Sequence, residues 1–157
     1  SMSELDESIE ELEKEDYLKG HVKRKKQQQR SKPRRFVSSD GLEIMVGRNN
    51  RQNDVLTLKQ ARGHDLWLHA KDIPGTHVII KLPPSLASIN DVPDQSLEEA
   101  ANLAAYFSKA QESTKVPVDY TFRANVRKPG GARPGMVIYD NYWTILASPR
   151  DANLGEE

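Results

Sequence analysis

Three short segments collect side chains whose chemistry exceeds what turns and strands require. The first is Arg48-Asn49-Asn50-Arg51-Gln52-Asn53-Asp54, a polar run leading into a helix start. Open backbone N–H groups and the positive end of a helix attract anions, and two arginines can clamp a phosphate. Asparagine is also what turns and caps prefer, so a plain turn-and-cap reading stands beside an anion or RNA contact. The second segment is Trp67, His69 and Lys71, with His77 beyond a Pro74-Gly75 turn. In extended chain, alternate residues share a face, so Trp67, His69 and Lys71 lie opposite Leu66, Leu68 and Ala70. His77, Ile79 and Lys81 would likewise point away from a core built on Val78 and Ile80. An indole, imidazoles and ammonium groups on one face can stack bases and neutralise phosphates. The alternative is that Trp67 and His69 pack beneath a helix or loop. The third segment, Arg127-Lys128-Pro129-Gly130-Gly131-Ala132-Arg133-Pro134-Gly135, is a stiff glycine loop with three cations. Its glycines either bring backbone close to a ligand or supply the positive φ of a β-connection.

Other chemistries fit poorly. On an extended segment His64 and His69 face opposite sides, no H-x-x-x-H occurs, and no carboxylate has metal-ligand spacing. No G-x-S-x-G elbow presents a serine nucleophile. The glycine loop lacks the Gly-Lys-Ser/Thr ending of a phosphate-binding P-loop and precedes a strand, not a helix. The residues call for no catalytic group, no metal and no cofactor, so the reading is a non-enzymatic binding module.

The elements that must position these groups follow from periodicity. Leu5, Ile9 and Leu12, with Leu18, form a narrow apolar seam over 3–30, as at the end of a coiled coil whose partner lies elsewhere, or simply a frayed charged helix. Lys23, Arg24, Lys25 and Lys26 open a nearly apolar-free stretch to residue 35, a basic linker suited to RNA. Phe36-Val37-Ser38 and Leu42 to Val46 flank Ser39-Asp40-Gly41 as a hairpin. Asn53 is expected to cap a helix to Arg62, with Val55, Leu58 and Ala61 on one side and Gly63 at its end. A second helix is expected from Leu97 to about Gln111, with Ser96 and Glu99 as capping box. Its alanines would let it lie close to a sheet. Val118 to Val126 alternates as a strand, and Asp140-Asn141 is expected to join Met136–Tyr139 to Tyr142–Leu146 in a second hairpin. These elements make an α+β fold: a mostly antiparallel or mixed sheet with two main helices, preceded by the helical remnant. The expected division is 1–30 for coiled-coil end and linker, 31–150 for the domain, and 151–157 for a disordered tail.

At the scale of the chain, 157 residues leave room for one domain and a little more. The net charge is zero, but it is segregated: residues 1–16 carry eight acids and one base, residues 17–35 nine bases and no acid. Such blocks mark solvated or interacting segments. With no cysteine there is no disulfide scaffold, which fits a reducing cytosol. No apolar run approaches the ~18 residues of a membrane span. The acidic start has no signal-peptide core. Ser1 before Met2 resembles a residue left by tag removal, so the natural chain is expected to extend upstream.

Several of these motifs occur together in a known order. Ser38-Ser39-Asp40-Gly41, then Val46-Gly47 through Asp54, then Asp65-Leu66-Trp67-Leu68-His69-Ala70-Lys71-Asp72-Ile73-Pro74-Gly75-Thr76-His77-Val78, Ala100 to Ser108, and the Lys128–Gly135 loop resemble the NFACT-R domain. Thr76 stands where that family often has serine. The resemblance spans about residues 34–148 and points to the C-terminal domain of the RqcH/NEMF family, whose Gram-positive branch is called FbpA or fibronectin-binding protein. It implies an RNA- or ribosome-binding module, with residues 3–30 the last part of a long coiled coil. It further implies partners: the large ribosomal subunit with stalled peptidyl-tRNA, and tRNA or rRNA during alanine tailing of the nascent chain. The rival implication is a surface adhesin for fibronectin, reached by unconventional display rather than in the cytoplasm.

Overall fold

The structure, a computed structural model, describes residues 13–20, 32–86 and 88–157, in two units, Ser1–Lys32 and Pro33–Glu157. In the first unit, residues 13–20 are helical (α1). The seam residues Leu5, Ile9 and Leu12 and the basic run Lys23 to Lys26 lie outside the described residues.

The second unit begins with the expected hairpin. β1 (Arg34–Val37) and β2 (Glu43–Val46) pair antiparallel around Gly41, whose φ of 81° suits glycine. β3 (Leu66–Ala70), β4 (Val78–Ile80), β5 (Val116–Phe122) and β8 (Trp143–Ala147) complete a six-stranded sheet in the order β1-β2-β4-β3-β5-β8. Every pairing is antiparallel, so the α+β class holds in its antiparallel form. Two short strands, β6 (Val126–Arg127) and β7 (Ile138–Tyr139), pair separately.

Alternation sends Leu66, Leu68, Val78 and Ile80 to one face, where α3 (Asp94–Tyr106) covers them. Ala100, Ala101, Ala104 and Ala105 are fully buried there, and their short side chains bring the helix axis close to the sheet. Each fully buried Leu or Ile contributes roughly 1.5–3 kcal/mol of burial. The opposite face is covered as well, the packed alternative for Trp67. Trp67 and Ile79 pack with Leu56 and Val126 in a second apolar cluster. β3 and β4 are thus buried on both faces, as their near-continuous apolar sequence allows.

Four expectations change in detail. The first helix is capped by Asn49, not Asn53: α2 (Asn50–Asp54) starts where the Asn49 side chain accepts from Gln52 N–H at 2.9 Å. It continues as a π-helical turn, Val55–Gln60, closed by the Ala61 N–H on the Leu56 carbonyl. Its buried side is Leu56 and Thr57, and Val55 is exposed. Ser96 and Glu99 do not cap α3, which starts after Pro93 and ends at Tyr106. They brace the first hairpin instead: the Ser96 hydroxyl lies 2.7 Å from Ser38 Oγ and Asp40 Oδ2, and Glu99 accepts from the backbone and hydroxyl of Ser39. β7 and β8 flank Asp140-Asn141, where Asn141 has φ 48°, but pair with β6 and β5 rather than each other. Residues 152–157, expected as a disordered tail, run along β1. Ala152 and Leu154 pack on the core, the Glu157 N–H donates to the Arg35 carbonyl, and Glu156 pairs with Arg34 at 2.7 Å.

Candidate nucleic-acid interface

The Gly47–Asp54 stretch folds against β4 through one buried asparagine. Asn53 Oδ1 accepts from the His77 backbone N–H at 3.2 Å, and a Cβ on Gly47 would stand 1.8 Å from that oxygen. Only glycine lets the chain pass there, so Gly47 and Asn53 together fix where the polar run sits.

His77 then joins three elements. Its Nδ1 receives the Trp67 indole N–H at 3.2 Å and lies 2.8 Å from the Thr57 hydroxyl. An indole nitrogen only donates, so Nδ1 is the bare nitrogen and Nε2–H donates to the Gly135 carbonyl at 2.9 Å. Burial lowers the His77 pKa to about 4, assisted by nearby His69, so the ring is neutral at neutral pH. The His69 pKa is also lowered by burial, while its Nδ1 sits 2.6 Å from the Ala70 carbonyl. The indole stacks on His69 at 5.9 Å and meets the Tyr139 ring at 4.7 Å.

Behind this aromatic group lies a buried carboxylate. Asp119 on β5 accepts from Tyr139 Oη at 2.5 Å and Thr144 Oγ1 at 2.7 Å, with Lys71 Nζ at 3.4 Å. Burial and the bond to Asp119 raise the Tyr139 pKa, which keeps the phenol protonated as donor. Lys71 also lies 4.8 Å over the Tyr142 ring.

In front lies a cleft of about 1070 Å³. Its floor includes His69, His77 and Tyr139, and its apolar walls include Ile73, Pro74, Met136 and Val137. Asn49, Asn50, Arg51 and Arg133 are exposed at its rim, as is Asp72, in the left-handed region at φ 55°. The two basic segments meet here. The Gly135 N–H donates to Asp54 Oδ1 at 3.0 Å, Lys128 Nζ pairs with Asp54 at 3.2 Å, and a Cβ on Gly135 would stand 2.8 Å from Asn50 Oδ1.

The structure therefore sorts the residues singled out by sequence. Asn49, Asn50, Arg51 and Arg133 are exposed at the cleft, with His69 half-buried beside them. Trp67 is only 1% exposed and packs in a core, so it is not an open stacking platform. His77, equally buried, is a structural tie. Lys71 is committed to Asp119, and Lys128 to Asp54 and the carbonyls of Arg133 and Met136. Arg48 faces Glu156 at 3.7 Å, and Arg127 is exposed on β6 outside the cleft lining. Lys23, Arg24, Lys25 and Lys26 fall outside the described residues. Asp72, Pro74, Met136 and Tyr139 were not among the RNA-contact residues read from sequence; the β3–β4 turn, the segment before β7 and β7 itself bring them to the cleft. Among the described residues no group of His, Asp and Glu could hold a metal, and no helix is long and apolar enough to cross a membrane.

Comparison with known proteins adds a family context. The family model described as the NFACT protein RNA binding domain matches residues 32–141. The Rqc2 homolog RqcH of Bacillus subtilis (strain 168) is 44% identical over 154 residues, 95% of this chain and 25% of that protein. The Rqc2 homolog RqcH of Streptococcus suis (strain 05ZYH33) is 45% identical over 157 residues, 98% of this chain and 27% of that protein. This chain thus spans about a quarter of the length of these relatives. Among solved structures, the C-terminal part of the fibronectin/fibrinogen-binding protein from Streptococcus suis superposes with a TM-score of 0.68 at 45% identity, covering 76% of this chain and 46% of that one.

Proposed function

This chain belongs to the family of NFACT protein RNA binding domains, and we propose that it is the RNA- and ribosome-binding module of a ribosome-associated quality control factor. In this reading it acts in the cytoplasm on the large ribosomal subunit carrying stalled peptidyl-tRNA. There it supports recruitment of tRNA for alanine tailing and performs no chemical step itself. The observation that carries the reading is the meeting of two arginine-bearing segments at one cleft, with Arg51 and Arg133 both exposed at its rim. Arginines on separate loops brought to one opening suit a phosphate backbone, which positions a nucleic acid without reading its sequence.

The test is an Arg51→Ala/Arg133→Ala double variant of this chain, titrated with single-stranded RNA across a range of salt. Binding should weaken similarly for all RNA sequences, and the slope of log affinity against log salt should flatten by about one to two units. Unchanged affinity and slope in a folded variant would remove the cleft from RNA binding. The Streptococcus suis protein of known structure is named for fibronectin and fibrinogen binding. Fibronectin binding that survives the double variant, with RNA binding absent from the parent chain, would instead favour the adhesin reading.

A further inference from the structure

The cleft differs from a simple basic groove in where its charge lies. Its floor holds two imidazoles, and both are neutral at neutral pH because burial lowers their pKa values. Its walls are apolar: Ile73 and Pro74 from the β3–β4 turn, Met136 and Val137 from the segment before β7. Among its lining residues, positive charge is confined to Arg51 and Arg133 at the rim, and the one carboxylate is Asp72 on the β3–β4 turn. A ligand entering fully would leave its anionic part at the arginine rim and bring a flat, weakly polar part to the floor. The volume, about 1070 Å³, lies at the upper end of small-ligand pockets and exceeds what a lone phosphate requires.

We infer that the cleft takes an unstacked nucleobase of single-stranded RNA, with its flanking phosphates on Arg51 and Arg133. Single-stranded RNA can splay a base out of its stack, and π-faces pack against imidazole and apolar side chains whatever the base. A base held in a duplex cannot reach a recessed floor. The wall is rigid enough for such a site. Gly75 bridges to Ser108 beyond α3, the Pro74 carbonyl accepts from Lys109 N–H, and His77 holds the Gly135 carbonyl, so one side of the cleft is tied to the segment after α3 and the other to His77. The inference rests on the RNA-binding reading and goes further by naming what enters the cleft.

The experiment titrates the whole chain with three probes at one salt concentration: a short single-stranded RNA, the same strand with abasic sites throughout its central nucleotides, and the fully paired duplex. All three keep phosphates, and only the first offers free bases. The intact single strand should bind about ten-fold or more tighter than the abasic strand. Met136→Trp, at an exposed wall position, should fill the cleft and erase that difference. Pro74→Trp, also at an exposed position, makes the same test from the opposite wall should the first variant melt early. Equal binding of intact and abasic strands would overturn the base pocket and leave the phosphate reading standing. Binding of none of the three probes would overturn the RNA reading itself.

Discussion

His77 shows how one almost fully buried side chain can organise a site. Its ring joins Trp67 and Thr57 to Gly135, and each of those bonds uses the neutral form with a bare Nδ1. Protonating Nδ1 would oppose the indole N–H at a ring only 1% exposed. The groups facing the ring are His69 and Lys128, which disfavour the added charge, and Asp54, which favours it; burial dominates them all. Because the folded pKa of about 4 lies below the ordinary 6.5, the unfolded chain binds more protons between those values. Stability is therefore fully present above about pH 6.5, falls as the pH drops toward 4, and stops responding to this group below that. The loss from this ring amounts to about 3 kcal/mol, at roughly 1.4 kcal/mol per pH unit. Urea denaturation of the parent chain and of His77→Gln across this window checks it: the variant should show the shallower pH dependence. Identical slopes would remove His77 as the cause. His69, whose pKa is also lowered, adds to the slope with the same sign in both proteins.

At the scale of elements, the site is made by two loops that touch through glycine. Gly135 has φ 85°, its N–H bonds Asp54, and Asn50 fills the space where a side chain would stand. Gly135→Ala meets both a left-handed backbone and a Cβ contact of 2.8 Å on Asn50, so the loop must move away from α2. The expected cost is about 1–3 kcal/mol of unfolding free energy, read by urea denaturation. RNA affinity should fall several-fold with it, because Arg133 and Arg51 no longer share one rim. Ala at Gly130, where nothing lies within 4 Å of the added Cβ, is the control and should leave both measurements nearly unchanged. The polar segment and the glycine loop were each legible in the sequence as candidates. The contacts that join them were not, because they rest on Asp54 and Asn50 reaching residues about 80 positions away.

For the whole molecule, charge and fold divide along the chain. The compact unit begins at Pro33, and Arg34 and Arg35 belong to it through Glu156 and Glu157. The nine bases of residues 17–35 therefore serve two purposes: the last two hold the tail to β1, and we propose that those before Pro33 add a sequence-blind attraction to RNA. Removing residues 1–32 should leave the melting temperature of the remaining chain unchanged, while RNA affinity falls and its salt dependence flattens. A cut that also removed Arg34 and Arg35 would destabilise the domain, since β1 and its ion pairs go with it. A large drop in melting temperature after removing 1–32 would show that the fold needs this segment.

By itself the sequence determined the α+β class, the first hairpin, the faces of β3 and β4, and the alanine-lined helix. All of these follow from the local periods of 2 and 3.6 residues and from turn chemistry. It also determined which polar segments were candidates, because arginine, asparagine and glycine clustered beyond what turns require. Tertiary structure decided what those clusters became. Periodicity assigns a residue to a face but does not say what covers that face, so an open and a covered Trp67 both stood until the π-helical turn after α2 and the β6–β7 pair were found packed on it. Spacing likewise cannot say which charge meets which. Lys71 and Lys128 are drawn inward by Asp119 and Asp54 because a buried or half-buried carboxylate is costly unless a cation or hydrogen-bond donor reaches it. Arg51 and Arg133 stay at the cleft rim, where long-range packing happened to bring their loops together.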